Sequence, residues 1–391
     1  MQNTSFQELT LSRLGFGTMR LPLIEGTKTI DEQKTAEMVD LALASGVNYF
    51  DTAFPDHGGM SEIVVGKCLA RHPRESWYLA TKYPGHQIAE SYDPKAVFEK
   101  QLEKCGVEYF DFYLLHNVCE SSIGTYLDPR WGIIDYFREQ KKLGRIRHLG
   151  FSSHGRPDNL RTFLDACPDM EFCQIQLNYL DWELQDAKTK YAILTERNIP
   201  VWVMEPVRGG KLAKLPAAAE AQLRALRPEE SIASWGFRWV QSLPNVKMVL
   251  SGMSNLSQMQ DNLRTFSGGK DLSEAELALL AELSVGLRNS VPCTACRYCC
   301  DGCPAGLDIP TLLSAYNDTR FSPSGFTVGM LLDTLPPEKL PTACLGCGKC
   351  AQICPQKIDV PAALADFGVK MQELPSWKKI CAERAAAAKK L

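Results

Sequence analysis

The chain has 391 residues, 45% of them hydrophobic, with 43 basic against 46 acidic side chains and a formal net charge of -3. That length suits a large domain plus a small one, and the balanced charge gives no electrostatic footprint for nucleic acid or an anionic membrane. The N-terminus lacks a basic start followed by an apolar run, and no stretch approaches eighteen consecutive apolar residues, so the expectation is a cytoplasmic protein without a membrane partner.

From Leu14 onward, short apolar runs alternate with longer amphipathic segments. Strands are predicted near Leu14–Gly17, Val47–Phe50, Trp77–Thr81, Phe110–Leu115, His148–Ser152, Phe172–Ile175, Val201–Met204 and Met248–Ser251. Helices are predicted over Asp31–Ser45, Ser61–Ala70, Pro94–Lys104, Pro129–Lys142, Asp158–Asp165, Trp182–Glu196, Glu229–Ser242 and Leu256–Phe266. Strands separated by helices favour a parallel sheet, and eight such units in about 250 residues favour closure into an α/β (β/α)8 TIM barrel. A doubly wound sheet would want G-x-G-x-x-G after its first strand. That motif is absent.

Active sites of such barrels form at the C-terminal ends of the strands. Asp51, Lys82 and His116 follow the second, third and fourth predicted strands. Singly, they read as a turn cap, a solvated cation and a satisfied hydrogen-bonder. Their shared register at three consecutive strand ends favours one pocket in which the ammonium lowers the pKa of a neighbouring acid and the imidazole holds a carbonyl oxygen.

After Leu283 the alternation stops, giving a boundary between residues 1–285 and 286–391. Cys293, Cys296, Cys299 and Cys303-Pro304 are repeated as Cys344, Cys347, Cys350 and Cys354-Pro355, both runs spelling C-x2-C-x2-C-x3-C-P. Bacterial ferredoxins bind [4Fe-4S] clusters with this spacing, the fourth Cys of each run ligating the other cluster. Two clusters are expected, on Cys293, Cys296, Cys299 and Cys354, and on Cys344, Cys347, Cys350 and Cys303. Zinc sites usually present two C-x2-C pairs without a third Cys at the same step, and nothing marks the chain as secreted and disulfide-bonded. Cys300 reads as a spare thiol, and Cys68, Cys105, Cys119, Cys167, Cys173 and Cys381 as small core residues. Between the runs a helix is expected over Pro310–Asn317, then a Ser/Pro/Gly-rich loop. Beyond Val360 the tail reads as helical, fraying over Ala385–Lys390. This is a small, mainly helical ferredoxin-type domain.

Phe50-Asp51-Thr52-Ala53, Ser61-Glu62, Ala80-Thr81-Lys82, Leu114-Leu115-His116-Asn117, the stretch from Gly144 to Ser152, and Gln174 resemble the aldo/keto reductase family over nearly all of residues 7 to 285. With the cysteine runs behind it, the chain resembles the iron-sulfur-containing branch. The resemblance implies carbonyl reduction by hydride from a nicotinamide dinucleotide bound without a Rossmann domain. Asp51, Lys82 and His116 then match three of four catalytic positions, and Ser152, Ser153 and Gln174 lie at the nicotinamide amide. Ser251, Gly252, Met253, Ser254 and Asn255, with Gln258 and Asn262, resemble the loop and helix that hold the adenosine end.

The sequence also departs from the family. The fourth catalytic position, a Tyr five residues after the Asp, is Asp56 here; His57 is a natural substitute proton donor and Tyr83 a weaker one. Met204 stands where an aromatic ring often stacks on the nicotinamide, while Arg208, Gly209 and Gly210 suit a diphosphate. Positions where NADPH-preferring members carry Lys or Arg are Gly252 and Gln258, leaving NADH and NADPH both open. Trp131, Trp182 and Trp202 suit an aromatic substrate at the mouth, against the plainer reading as core.

These features predict an NADH- or NADPH-dependent oxidoreductase acting on a carbonyl or related small molecule, with clusters for electron transfer, in an anaerobic host. The alternatives are a reductase fed through its clusters by a ferredoxin or other electron carrier, with or without a flavin at the mouth, a barrel that only docks partners of an electron relay, and clusters that are structural.

Overall fold

The computed structural model describes residues 1 to 391 except 88, 121, 288–290, 322–325, 375 and 377–391; Cys381 and the Ala385–Lys390 segment lie outside the described residues. The chain divides into two compact units. One comprises Met1–Arg208, Leu212–Lys214 and Ala221–Val285, and the other Gly209–Lys211, Leu215–Glu220 and Gly286–Leu391.

The first unit begins with an antiparallel hairpin, β1 (Asn3–Phe6) and β2 (Leu9–Ser12). Eight parallel strands follow: β3 (Leu14–Gly17), β4 (Tyr49–Asp51), β5 (Tyr78–Tyr83), β6 (Phe110–Leu115), β7 (Ile146–Ser153), β8 (Cys173–Gln176), β9 (Val201–Met204) and β10 (Val246–Ser251). They pair in sequence order, and β10 closes on β3. The predicted (β/α)8 barrel is therefore the observed fold, with β3, β6 and β9 matching their predicted bounds.

Alternation along the strands decides which residues fill the barrel. Tyr49, Ala80, Phe112, Leu114, Phe172, Trp202, Met248 and Leu250 form one buried cluster with Phe6 and Leu11 of the hairpin. Phe6 meets Phe112, His148, Phe172 and Trp202 at ring centroids 4.9 to 6.2 Å apart, so β1–β2 plugs the N-terminal end. Space for these rings comes partly from Gly150, where a Cβ would lie 2.6 Å from Phe172. Of the two readings of Trp202, mouth or core, the core one is observed: it packs beside the plug. Trp182 packs on Tyr191 and Trp239, and Trp131 edge-on against Tyr92 in the loops after β6 and β5.

The helices largely keep their predicted places, from Glu32–Ala44, capped by Asp31 through the Lys34 amide, to Leu256–Ser267, capped by Asn255 through that of Gln258. The predicted Trp182–Glu196 helix is broken into Asp181–Leu184 and Ala187–Glu196, because Asp186 turns left-handed at φ 48°. Helices Ala217–Leu226 and Glu274–Leu287 add to the predicted set.

The second unit is mainly helical. Its core gathers Leu307, Ile309, Leu312, Leu313, Tyr316, Leu364 and Phe367 around Cys293, Cys299 and Cys350. Helix Ile309–Phe321 outruns its prediction, and helix Phe326–Thr334 falls within the expected loop. Among the described residues no helix is long and apolar enough to cross a membrane.

Candidate active site

The last inward-pointing residues of the barrel strands form the site. Asp51 ends β4 beside Ala80, and Lys82 comes two residues after Ala80, on the same inner face of β5. Lys82 Nζ donates to Asp51 Oδ1 at 2.6 Å and to the Thr52 carbonyl at 2.7 Å, both side chains being buried. Burial pushes the Asp51 carboxyl up against the opposing pull of Lys82. Asp51 Oδ2 is buried and meets no hydrogen-bond partner among the described residues.

A polar frame outside the barrel holds these strand ends. Glu62, fully buried, accepts from Thr81 Oγ1 at 2.6 Å, from Gln101 Nε2 at 2.7 Å and from Lys104. Gln101 also donates to the Lys82 carbonyl at 3.0 Å. Thr18, Thr52 and Ser61 share hydroxyl contacts of 2.9 Å, and Thr18 donates to the Asp51 carbonyl. Gln101 and Lys104 escaped the sequence reading; the available signal was a glutamine among Phe98, Leu102 and Cys105 on the buried face of helix Pro94–Cys105.

Asp56, at the expected Tyr position, is 8% exposed in the loop after β4. Burial pushes its carboxyl up to about 7; Asp51 and Glu62 add to the rise, while Lys82 and Lys104 oppose it. The neighbouring His57 takes φ 52°, accepts at Nε2 from the Leu21 amide at 3.2 Å, and is hydrogen-bonded to the backbone of Thr18 and Met19. That ring staples two loops. Tyr83 lies on the outer face of β5 against Tyr126 and Phe137, as alternation from Lys82 requires. Of the substitutes for the missing Tyr, Asp56 is the buried carboxyl that feels the charge of Lys82.

His116 follows β6. Burial pushes its ring well below the usual imidazole range, with His86, Lys82 and His154 adding to the fall, so the ring is neutral at neutral pH. Its Nδ1 meets no hydrogen-bond partner among the described residues.

Gln174 on β8 pairs with Ser152 on β7, and its Oε1 is likewise buried without a partner among the described residues. The Ser152 hydroxyl accepts from the Asn117 amide at 2.8 Å, and that of Ser153 donates to the Val118 carbonyl at 2.7 Å. Ser251 ends β10, where Asn262 Nδ2 reaches its hydroxyl at 2.7 Å; Met253 is buried, and Gln258 Oε1 accepts from the Ser254 amide at 2.7 Å. Gly209 and Gly210 take φ of 64° and 93° in the turn after β9. Arg208 corrects its expectation. The side chain is fully buried and its Nε lies 3.0 Å from both Asp181 oxygens, an arrangement that Gln176 and Asn178 complete by donating to the same carboxylate at 2.7 Å. Enclosed there, it neutralises a buried acid and does not face a diphosphate. Glu205, also missed, takes φ 58° after β9 and stands 3.9 Å from Arg20.

In the second unit, Cys293, Cys296, Cys299 and Cys354 line one cavity, and Cys303, Cys344, Cys347 and Cys350 another. The grouping is the crossed one. Ala295 and Arg297 in the first loop, and Gly346 and Gly348 in the second, all take positive φ, so the two loops share one backbone shape.

Residues 13–284 match the model of the aldo/keto reductase family. The chain belongs to that family. Residues 292–358 match a 4Fe-4S dicluster domain, so this aldo/keto reductase carries an iron-sulfur domain behind its barrel. Its relatives include the NADH-specific methylglyoxal reductase of Escherichia coli (23% identical, covering 72% of this chain and 97% of that protein) and the L-galactose dehydrogenase of Arabidopsis thaliana (24%, 65% and 84%). Among solved structures, the holo form of an aldo-keto reductase from Bacillus halodurans is 27% identical with a TM-score of 0.59, covering 72% of this chain and 96% of that one. This aldo/keto reductase is accordingly an oxidoreductase.

Proposed function

We propose that the barrel reduces the carbonyl of a small organic molecule with NADH, using Asp56 as proton donor and His116 to orient the carbonyl oxygen. The observation that carries this reading is the buried Lys82–Asp51 pair with the raised Asp56 carboxyl beside it. Residues suited to the dinucleotide are Gln174, with its unpartnered buried oxygen, and Ser251 to Asn262, where helix Leu256–Ser267 offers an N-terminus to a phosphate. No Lys or Arg occurs from Ser251 to Gln258, which favours NADH over NADPH. Bound nicotinamide supplies hydride. Lys82 fixes Asp51 and biases the charge around Asp56, the protonated Asp56 carboxyl delivers its proton to the carbonyl oxygen, and the neutral His116 ring holds that oxygen by one hydrogen bond.

The eight cysteines suit two [4Fe-4S] clusters, which carry single electrons. Leu345 is 70% exposed and Cys347 is exposed, which supports exchange with a ferredoxin or similar carrier at the second loop.

Turnover of a carbonyl with NADH deuterated at the transferable position tests the reading. Label at the product carbon is expected, with a loss on the order of 100-fold or more in Lys82→Met. Unlabelled product, or a Lys82→Met variant of full activity, overturns it.

A further inference from the structure

Residues on either side of Asp56 rest on one enclosed cation. Lys104 Nζ, from helix Pro94–Cys105, donates to the Phe54 carbonyl at 3.4 Å and lies 4.5 Å from the centre of the Phe54 ring. A Cβ on Gly59 would come 3.6 Å from the same nitrogen. The turn between Phe54 and Gly59 is itself constrained, since His57, Gly58 and Gly59 take φ of 52°, 64° and 86° in succession and the His57 ring holds the Leu21 amide. The loop that carries Asp56 is thus seated on Lys104.

Glu62 extends that seat to the strand that carries Lys82. Its side chain is fully buried and paired with Lys104, while its Oε1 accepts from Thr81 Oγ1 at 2.6 Å and from Gln101 Nε2 at 2.7 Å. Thr81 precedes Lys82 on β5, and Gln101 donates to the Lys82 carbonyl at 3.0 Å. One carboxyl therefore ties the Lys82 strand end to the Asp56 loop. Charge acts across the same frame. Burial acts most on the Asp56 carboxyl, followed by Lys82 of β5, Asp51 of β4, Glu62 of helix Ser61–Leu69 and Lys104. With water excluded, each of these charges counts for more than it would at the surface.

We propose that the Glu62–Lys104 ion pair is a positioning device for the mouth: it holds the Asp56 loop against the end of β5 and, as two opposed charges, sets the pH range over which Asp56 keeps its proton. The proposal deepens the carbonyl-reductase reading and rests on it for the role of Asp56 as proton donor. Neither residue of the pair belongs to a strand end, and neither faces the barrel interior.

Infrared titration of the cluster-loaded full chain tests it, the Asp56 carboxyl being identified by subtracting the spectrum of Asp56→Asn. In Glu62→Gln, which keeps the side-chain shape, loss of the negative charge should lower the Asp56 midpoint by about 1 pH unit. In Lys104→Met, loss of the positive charge should raise it by about as much. A midpoint that stays in place in either variant, or that moves the same way in both, overturns the proposal; a general loosening of the fold would not drive the two apart. If Lys104→Met does not fold, Glu62→Gln alone decides. The pH limb of kcat/KM separates the two readings. A limb that follows the infrared midpoint sustains both, whereas a midpoint that moves while the limb stays or is absent sinks Asp56 as proton donor and sustains the positioning role.

Discussion

As the proposed proton donor, Asp56 depends on its raised value, since a carboxyl with the ordinary value of 3.8 would hold no proton at neutral pH. Raised to about 7, it is half protonated there, so kcat/KM for reduction should fall as pH rises through 7. Asp56→Asn should remove that limb and cost on the order of 100-fold at pH 6, read from a pH profile. Stability follows the same titration. Because the folded value lies above the unfolded one, this group's contribution is full below pH 3.8 and is lost as pH rises through 7. Asp56→Asn should therefore melt higher than the parent at pH 8 and no higher at pH 4, by calorimetry. Lys82 makes the opposite case. Lys82→Met strands Asp51 in a buried site and should cost about 3–5 kcal/mol, whereas Lys82→Met with Asp51→Asn should recover most of it, by denaturant unfolding.

At the scale of elements, the two cysteine loops repeat one shape with different residues. Left-handed backbone suits Gly346 and Gly348 but strains Ala295 and Arg297, by about 1–2 kcal/mol per residue. Gly348→Ala should therefore lower the temperature at which cluster absorbance is lost, and Arg297→Gly should not. The cysteine spacing made these loops legible in the sequence. Apolar runs likewise located β3, β6 and β9, because fully buried parallel strands read as continuous apolar stretches. The β1–β2 hairpin was missed: four residues with one buried side chain, Phe6, are too short for alternation to register. Helix Ile133–Lys142 starts late because Gly132 takes φ 57° before it, and a propensity window does not see a left-handed residue. Strand-end register pointed to Asp51, Lys82 and His116, and the structure joins the first two as a buried ion pair. It was silent on the Arg208–Asp181 pair, since an arginine beside two glycines reads as exposed until the fold encloses it.

At the scale of the molecule, each unit has its own hydrophobic core, and in the second that core is built around the cysteines. Chelating the iron should abolish one calorimetric transition and leave that of the barrel, because ligand burial around a bound group is itself folding energy. Hydride comes as an electron pair and each cluster takes one electron. NADH alone should leave cluster absorbance unchanged under anaerobic conditions, and bleaching should require an added flavin.

Crossed cysteines also impose an order on biogenesis. When Cys293, Cys296 and Cys299 emerge from the ribosome, the fourth residue of their cavity, Cys354, lies about sixty residues behind them. At about 5–20 residues per second that is a wait of several seconds. Cys303, made early, waits for Cys344 in its turn. The first cavity can therefore close only after the barrel has been synthesised, so cluster insertion is a late step, and a message truncated before Cys354 leaves that cavity without its fourth cysteine.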